Sequence, residues 1–399
     1  ASRHLTYQQT FAGLPVDAHQ VRVNMDREGR VSMVLSAFVP VNADEQLFNT
    51  QPTISSSEAM SRARNELAPN GGQVSAAELV ISDPETPILV WKLFVWPLDE
   101  PAEYRVLVDA QTGELVEAFD QALSSGRHAG QSRKRKRDPD PDRIASRRVD
   151  GTGLVYDPGP LFRAGVPYGA PYVDDDDATN ASLDAARIQV TLLDITQNGN
   201  GDFVLEGPYA RIVGRNSGGS MVYTPPVESS PDGFQYDRSQ DGFEAVMAYY
   251  HIDKSQRYIQ SLGFSDLQSG GFDVNPKGLT RDDSIFLPNL QLILLGTGEV
   301  DDAEDPSVIW HEYGHALLDS AVPNLLNSRE GGALHEGFSD YWAASYTRSL
   351  VESGQTGRND WRWVFLWDSG EGSIWSGRFL DHFGIYPRDI CVANMSPGS

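Results

Sequence analysis

Residues 308–318 read Val-Ile-Trp-His-Glu-Tyr-Gly-His-Ala-Leu-Leu, an apolar run interrupted by two histidines and a glutamate. Such a run belongs in a core, and a core obliges its polar groups to find partners. On a helix, His311 and His315 stand one turn apart, about 6 Å along the axis, and project from one face. Both imidazoles can then share a single metal ion. Glu312 is rotated roughly 100° from His311, poorly placed to ligate the metal but able to reach a water beside it. Asp305 is a candidate N-cap, Pro306 suits the first turn, and Glu304 and Asp305 complement the positive end of the dipole. The pattern predicts a helix from about 306 to 320, with Pro323 helping to end it.

Gly331-Gly332 opens a second helical pattern, running to Ala344, in which Glu336 and Asp340 share a face. Two antiparallel helices joined by a loop would let Glu336 complete a His, His, Glu set, the ligand set of a catalytic zinc whose fourth position is left to water. Asp340, one turn on, would receive the outer N–H of a ligand imidazole and fix its orientation. The plainer reading of Glu336 and Asp340 is a solvated acidic stripe, which their apolar neighbours argue against. A structural zinc would call for four protein ligands and usually several cysteines. Cys391 is the only cysteine and is distant in sequence. It permits no internal disulfide and has no nucleophile pattern around it. His335 is a fourth-ligand candidate only in principle, because it points about 100° away from Glu336 on a helix.

His311-Glu-Tyr-Gly-His315, with Gly332-Ala-Leu-His-Glu-Gly-Phe-Ser-Asp340 downstream, resembles the thermolysin and fungalysin metallopeptidases. The resemblance implies that His311, His315 and Glu336 bind Zn2+, that Glu312 is the general base, and that Asp340 orients a ligand histidine. It implies a zinc-activated water attacking the scissile carbonyl, with Glu312 taking the water's proton and returning it to the departing amine. Residues 282–287 resemble the edge strand that aligns substrate backbone in these enzymes. Asp283, Ser284 and Ile285 are its substrate-binding candidates, and Asp283 stands where an asparagine is common. The stretch Gly242–Leu262, with Phe243, Val246, Met247, Tyr250 and Ile259 as apolar positions, is similar to the long helix that precedes that strand.

A basic segment, Arg133-Lys-Arg-Lys-Arg137, sits among Ser, Gly, Pro and Asp and divides the chain. It reads as a disordered linker open to cleavage rather than a nuclear-targeting or nucleic-acid-binding run. Before it, strands are expected at Gln20–Asn24, Arg30–Pro40, Ile88–Pro97 and Tyr104–Val108. A helix is expected to open at the capping box Ser55-Ser-Ser-Glu58, and a turn at Asp109–Glu114. That order suggests a small antiparallel α+β module. Phe11-Ala-Gly-Leu-Pro-Val16 and the Asp109–Glu114 turn resemble parts of the inhibitory propeptides of thermolysin-like enzymes, of fungalysin/thermolysin-propeptide and PepSY type. The expected organisation is an α+β chain with four parts: residues 1–122 an inhibitory propeptide, 123–150 the linker with its activation cleavage, 151–305 the β-rich lobe of a two-lobe peptidase, and 306–399 the zinc-binding helices and an incomplete helical lobe. The chain ends at Ser399, soon after Glu336. Neither the second histidine of the family's catalytic apparatus nor its tyrosine can be placed, since His382 has no supporting motif. The alternative to an active peptidase precursor is therefore a catalytically incomplete zinc-binding fragment or a non-catalytic polypeptide-binding homologue.

The 399 residues carry 56 acids against 32 bases, a net charge of −24. An acidic surface of this kind argues against nucleic acid and suits a calcium-dependent or salt-adapted protein. Calcium is the candidate second ion, with Asp301, Asp302 and Glu304 as its expected ligands. Asp174–Asp177 and Asp194–Asp202 read as solvated turns rather than calcium loops, since neither matches an EF-hand. No apolar run is long enough for a membrane span. Ala1-Ser2-Arg3-His4 lacks the apolar core of a signal peptide, so a secreted protein is expected whose signal is not in this sequence. The expected partners are protein or peptide substrates and the chain's own propeptide.

Overall fold

The computed structural model describes residues 3–26, 28–82, 84–124, 147–265, 267–268, 270–322, 325, 329–370 and 377–380. The basic run Arg133–Arg137, with most of the expected linker, lies outside them, as do Pro323, His382 and Cys391. The chain divides into two compact units, Ala1–Asp120 and Gln121–Ser399.

The first unit is an α+β fold built on an eight-stranded sheet. Its strands follow the order Arg3–Phe11, Leu14–Met25, Glu78–Ile81, Leu89–Pro97, Tyr104–Asp109 and Leu115–Asp120; Val31–Ser36 adds to the second of these and Gly72–Val74 to the fourth. Nearly all neighbours are antiparallel, and one parallel pairing, Val16 with Ile81, joins the N-terminal strands to the rest. The Ser55 hydroxyl accepts from the Glu58 backbone N–H at 3.2 Å and starts the helix Ser56–Leu67, as the capping box requires. The helix buries Ala59 and Ala63, one turn apart, against Leu93, Val95, Val106 and Val108. Small residues there let the helix sit close on a sheet face made of branched side chains.

Three helices and two sheets form the core of the second unit. An antiparallel four-stranded sheet contains Arg147–Val155, Ile188–Gln197, Phe203–Val204 and Val227–Glu228. A mixed five-stranded sheet runs in the order Ala210–Ile212, Phe272–Leu279, Leu292–Gly296, Ile285–Leu287 and Leu123–Ser124. The expected edge strand is thus covered: Ile285 pairs with Ser124 and Phe286 with Leu123, antiparallel. The helix Phe243–Ser261 buries Phe243, Val246, Met247 and Ile259 as its pattern implied, and Tyr250 is half-buried against the same core. Behind the histidines, Trp310 stacks on Tyr346 with ring centroids 4.4 Å apart. That contact helps fix the helix Pro306–Ala321 against the helix Arg329–Glu352. No helix among the described residues is long and apolar enough to cross a membrane.

Candidate metal centre

The helix Pro306–Ala321 begins where its sequence signals place it. Asp305 Oδ1 accepts from the Ser307 N–H at 2.8 Å and from its hydroxyl at 2.6 Å. Oδ2 of the same carboxylate accepts from the backbone N–H groups of Trp367 and Asp368 at 3.0 and 3.3 Å. One aspartate therefore caps the helix and holds the segment that follows the second helix. Farther along, Gly314 lies against Ser339: a Cβ there would come within 2.9 Å of the Ser339 Cα. The glycine of His-Glu-Tyr-Gly-His is what lets the two helices approach closely enough for residues on both to meet.

They meet at three side chains. His311 Nε2 lies 3.4 Å from Glu336 Oε2, and His315 Nε2 lies 3.5 Å from Glu336 Oε1. One donor atom from each of the three falls within 4.8 Å of the others. The outer nitrogens are engaged as well. His311 Nδ1 is 2.9 Å from Asp340 Oδ1, and His315 Nδ1 is 3.0 Å from the Ser339 hydroxyl. His311 and His315 are wholly buried, and His315 Nε2 and Glu336 Oε1 have no hydrogen-bond partner. Buried, convergent and unsatisfied donors of this chemistry fit a zinc ion. His335 is buried beside them, its ring 5.7 Å from that of His315, but it is outside the convergent group.

The electrostatics follow from burial set against charge. Burial works to raise Glu336, but His315, His311 and Arg378 outweigh it and bring it to about 2. Burial also works against the His311 cation, yet hydrogen bonding to Asp340 and Glu336 brings that group up to about 9. His315 has less support and is driven well down by burial. Glu312 is wholly buried with both carboxylate oxygens unpartnered, and burial raises it well above the ordinary range.

Arg378 is the participant that sequence reasoning missed. Its Nη1 donates to Asp340 Oδ1 at 2.7 Å and reaches Glu336 Oε2 at 3.4 Å. It thus neutralises the two carboxylates that crowd the histidines. It has no motif and lies well downstream, so nothing in the sequence pointed to it. Ser339 had a signal that was overlooked, being three residues after Glu336 on one helix face. Phe286 and Phe365 complete the apolar walls, with ring centroids 6.5 Å from His315 and 5.2 Å from His311.

The substrate-strand candidates are not among the three convergent side chains, but Asp283 lies near enough to act on the charge of Glu312. The Asp283 carboxylate accepts from Arg281 Nε at 2.9 Å, Ser284 is buried with its hydroxyl donating to Asp302, and Ile285 packs with Leu279 and Leu287. The expected calcium ligands do not act as one group. Glu304 accepts from Arg238 and from Trp367 Nε1, and Asp301 lies 3.1 Å from Lys277 Nζ. Of the three, Asp302 alone belongs to a convergent carboxylate group, with Asp282 and Asp368. Asp174, expected in a solvated turn, is instead buried and ion-paired with Arg238. Asp194 does remain at the surface, accepting from Arg257 at 2.7 Å.

Residues 2–38 match the Fungalysin/Thermolysin Propeptide Motif, a span that includes Phe11–Val16. The chain carries a thermolysin-type propeptide motif. Over 129 residues, 30% of the chain, it is 20% identical to bacillolysin of Brevibacillus brevis, and the aligned stretch is 24% of that protein's length. The chain therefore spans about a quarter of this curated relative. The Bacillus megaterium YpeB C-terminal domain aligns with 30% of this chain and 51% of its own, at 19% identity and a TM-score of 0.20, a value too low to carry an argument about fold.

Proposed function

We propose that the chain is the precursor of a secreted zinc endopeptidase with the thermolysin type of site. The observation that carries this reading is the convergence of His311, His315 and Glu336, with the unpartnered carboxylate of Glu312 buried beside them. His311, His315 and Glu336 would hold the ion, and Asp340 would orient His311. A zinc ion there would supply Lewis acidity, easing loss of a water proton and drawing charge from a peptide carbonyl. Glu312 would accept the proton of the attacking water and pass it to the departing amine nitrogen. Its apolar surroundings suit both halves of that transfer, because they favour the protonated form that must last until the amine leaves. Arg378 would keep Glu336 and Asp340 ionised, and Phe286 and Phe365 would exclude competing water.

In this reading the strand Ile285–Leu287, with Asp283 and Ser284 leading into it, aligns the substrate backbone. The pairing of Leu123–Ser124 on that strand supports a precursor that occupies its own substrate track. The β-rich segment from 151 to 305 would form one lobe of a two-lobe peptidase, and the helices from 306 onward would begin the other.

The test is zinc stoichiometry measured alongside peptide hydrolysis, before and after proteolytic cleavage between 125 and 146. Cleaved protein should bind one zinc and hydrolyse peptides. Glu312→Gln should keep the zinc and lose turnover by at least about a thousandfold, within the range usual for general acid–base catalysis. Zinc-replete, cleaved protein without hydrolysis would instead favour a non-catalytic, polypeptide-binding chain.

A further inference from the structure

The lead-in to the strand Ile285–Leu287 reads Arg281-Asp-Asp283-Ser, and its charged groups are held unequally. Arg281 Nε and Nη2 both donate to Asp283 Oδ2, at 2.9 and 2.5 Å. The carboxylate is largely covered, its side chain 13% exposed, whereas the guanidinium is 51% exposed. A half-exposed cation gains little from such a pair that water does not also supply. The acid is therefore the fixed member and the arginine its movable cover.

Two glycines hold the acid in place. A Cβ on Gly296 would come within 2.2 Å of the Arg281 carbonyl oxygen, and one on Gly298 within 2.2 Å of the Asp282 nitrogen. The loop thus rests directly on the backbone of residues 296–298, and backbone packed on backbone leaves Asp283 little room to shift. Strand register says what would meet it. Ser124 lies opposite Ile285 and Leu123 opposite Phe286, with the two strands antiparallel. A peptide in that place, continuing in its C-terminal direction, reaches Asp283 two residues past the one opposite Ile285.

The surroundings decide which charge is welcome there. Asp282 precedes Asp283, the Ser284 hydroxyl that follows it donates to Asp302, and Glu312 is close enough to feel its charge. The chain as a whole carries −24. A mouth of that sign draws in cations and repels anions. In this chain's own sequence, the first charged residue after Ser124 is a base, Arg127.

We propose that Asp283 selects substrates with Lys or Arg two or three residues beyond the one opposite Ile285, the substrate's cation taking the place of Arg281 on the carboxylate. The proposal rests on the reading of that strand as the substrate track. A neutral amide at 283 could hydrogen-bond a peptide but could not sort peptides by charge. Arg281 is then an internal competitor that covers the carboxylate until a substrate's cation arrives, so removing the acid and removing the base should act in opposite directions.

The experiment uses the zinc-loaded chain cleaved between 125 and 146, with peptides identical except for Lys, Leu or Glu at those two positions. Hydrolysis is measured with Glu312 intact, and binding of labelled peptides, by fluorescence anisotropy, with Glu312→Gln. In both measurements Lys should exceed Leu about fivefold and Glu about tenfold, and about 1 M salt should shrink both ratios. Asp283→Asn should bring the ratios close to one, while Arg281→Gln should widen them about twofold. Ratios that do not favour Lys, ratios unchanged by Asp283→Asn, or no binding of any peptide overturn the proposal. So does a preference for Glu that Arg281→Gln abolishes, which gives the subsite to the arginine. Lys-selective binding without hydrolysis supports the selection and sinks the peptidase reading alone, whereas hydrolysis indifferent to charge sinks the selection alone.

Discussion

Asp17 in the first unit and Asp302 in the second are both buried aspartates, and their surroundings treat them in opposite ways. Asp17 meets Lys92 at 2.5 Å and also pairs with Arg105. Burial alone would raise it, but those two cations bring it below the ordinary carboxylate range. Asp302 meets Asp368 and Asp282, and burial leads the causes that raise it to about 7. A buried carboxylate with its cations built in closes a structure, whereas one surrounded by carboxylates leaves a place for something else. The histidine site stands between these cases. Arg378 neutralises part of the charge of Glu336 and Asp340, while the nitrogens and oxygens that face inward remain available.

The largest effect that can test this contrast is expected at Asp17. Asp17→Asn removes the buried anion that Lys92 and Arg105 share, leaving Arg105 the exposed Glu117, and should destabilise the first unit by roughly 3 kcal/mol, as breaking one side of a buried ion pair does. Denaturant unfolding followed through the first unit's tryptophans measures it. A loss under about 1 kcal/mol would mean that water already screens the triad. Next comes Asp340→Asn, which removes the anion paired with His311 Nδ1 but keeps the shape. Zinc affinity should drop roughly 10–100-fold, the usual cost of losing a carboxylate behind a ligand histidine. Competition with a chromogenic chelator reads the change, and unaltered affinity would remove Asp340 from the site. Asp302→Asn should act in the reverse sense to Asp17→Asn. It relieves carboxylate repulsion and should stabilise the second unit by about 1 kcal/mol.

Much of this was legible in the sequence wherever one segment carries its own instructions. The helix expected at 306–320 is Pro306–Ala321, because Asp305 and Pro306 specify its start locally. Ser55 and Glu58 specify the helix Ser56–Leu67 in the same way. The convergence of Glu336 on the two histidines was readable because helical spacing fixes which residues share a face. What escaped depends on distant segments folding together. Asp301, Asp302 and Glu304 are equivalent in sequence, and only the arrival of Lys277 beside one and Arg238 beside another separates them from Asp302. Asp174 looked solvated because a run of four aspartates does, yet the same Arg238 draws it into the core. Arg378 reaches Asp340 from well beyond any motif, and the covering of Ile285–Leu287 depends on a two-residue strand too short to show periodicity.

The smallest expected effect is a difference of sign. Asp17 has a lowered value in the folded chain, so its contribution is present above about pH 4, near the unfolded value, and is lost as the pH falls further. Asp302 has a raised value, so its contribution is complete below about pH 4 and is lost as the pH rises through about 7. Glu304, raised to about 8 by burial against the pull of Arg238, adds in the same direction. Native-state hydrogen exchange, corrected for intrinsic rates, separates the two units. The strand Leu89–Pro97 should lose protection on acidification, and Leu292–Gly296 on moving from pH 4 to 7. If the two strands instead respond to pH with the same sign, Asp302 is as fully neutralised within the protein as Asp17, and the contrast between the units fails.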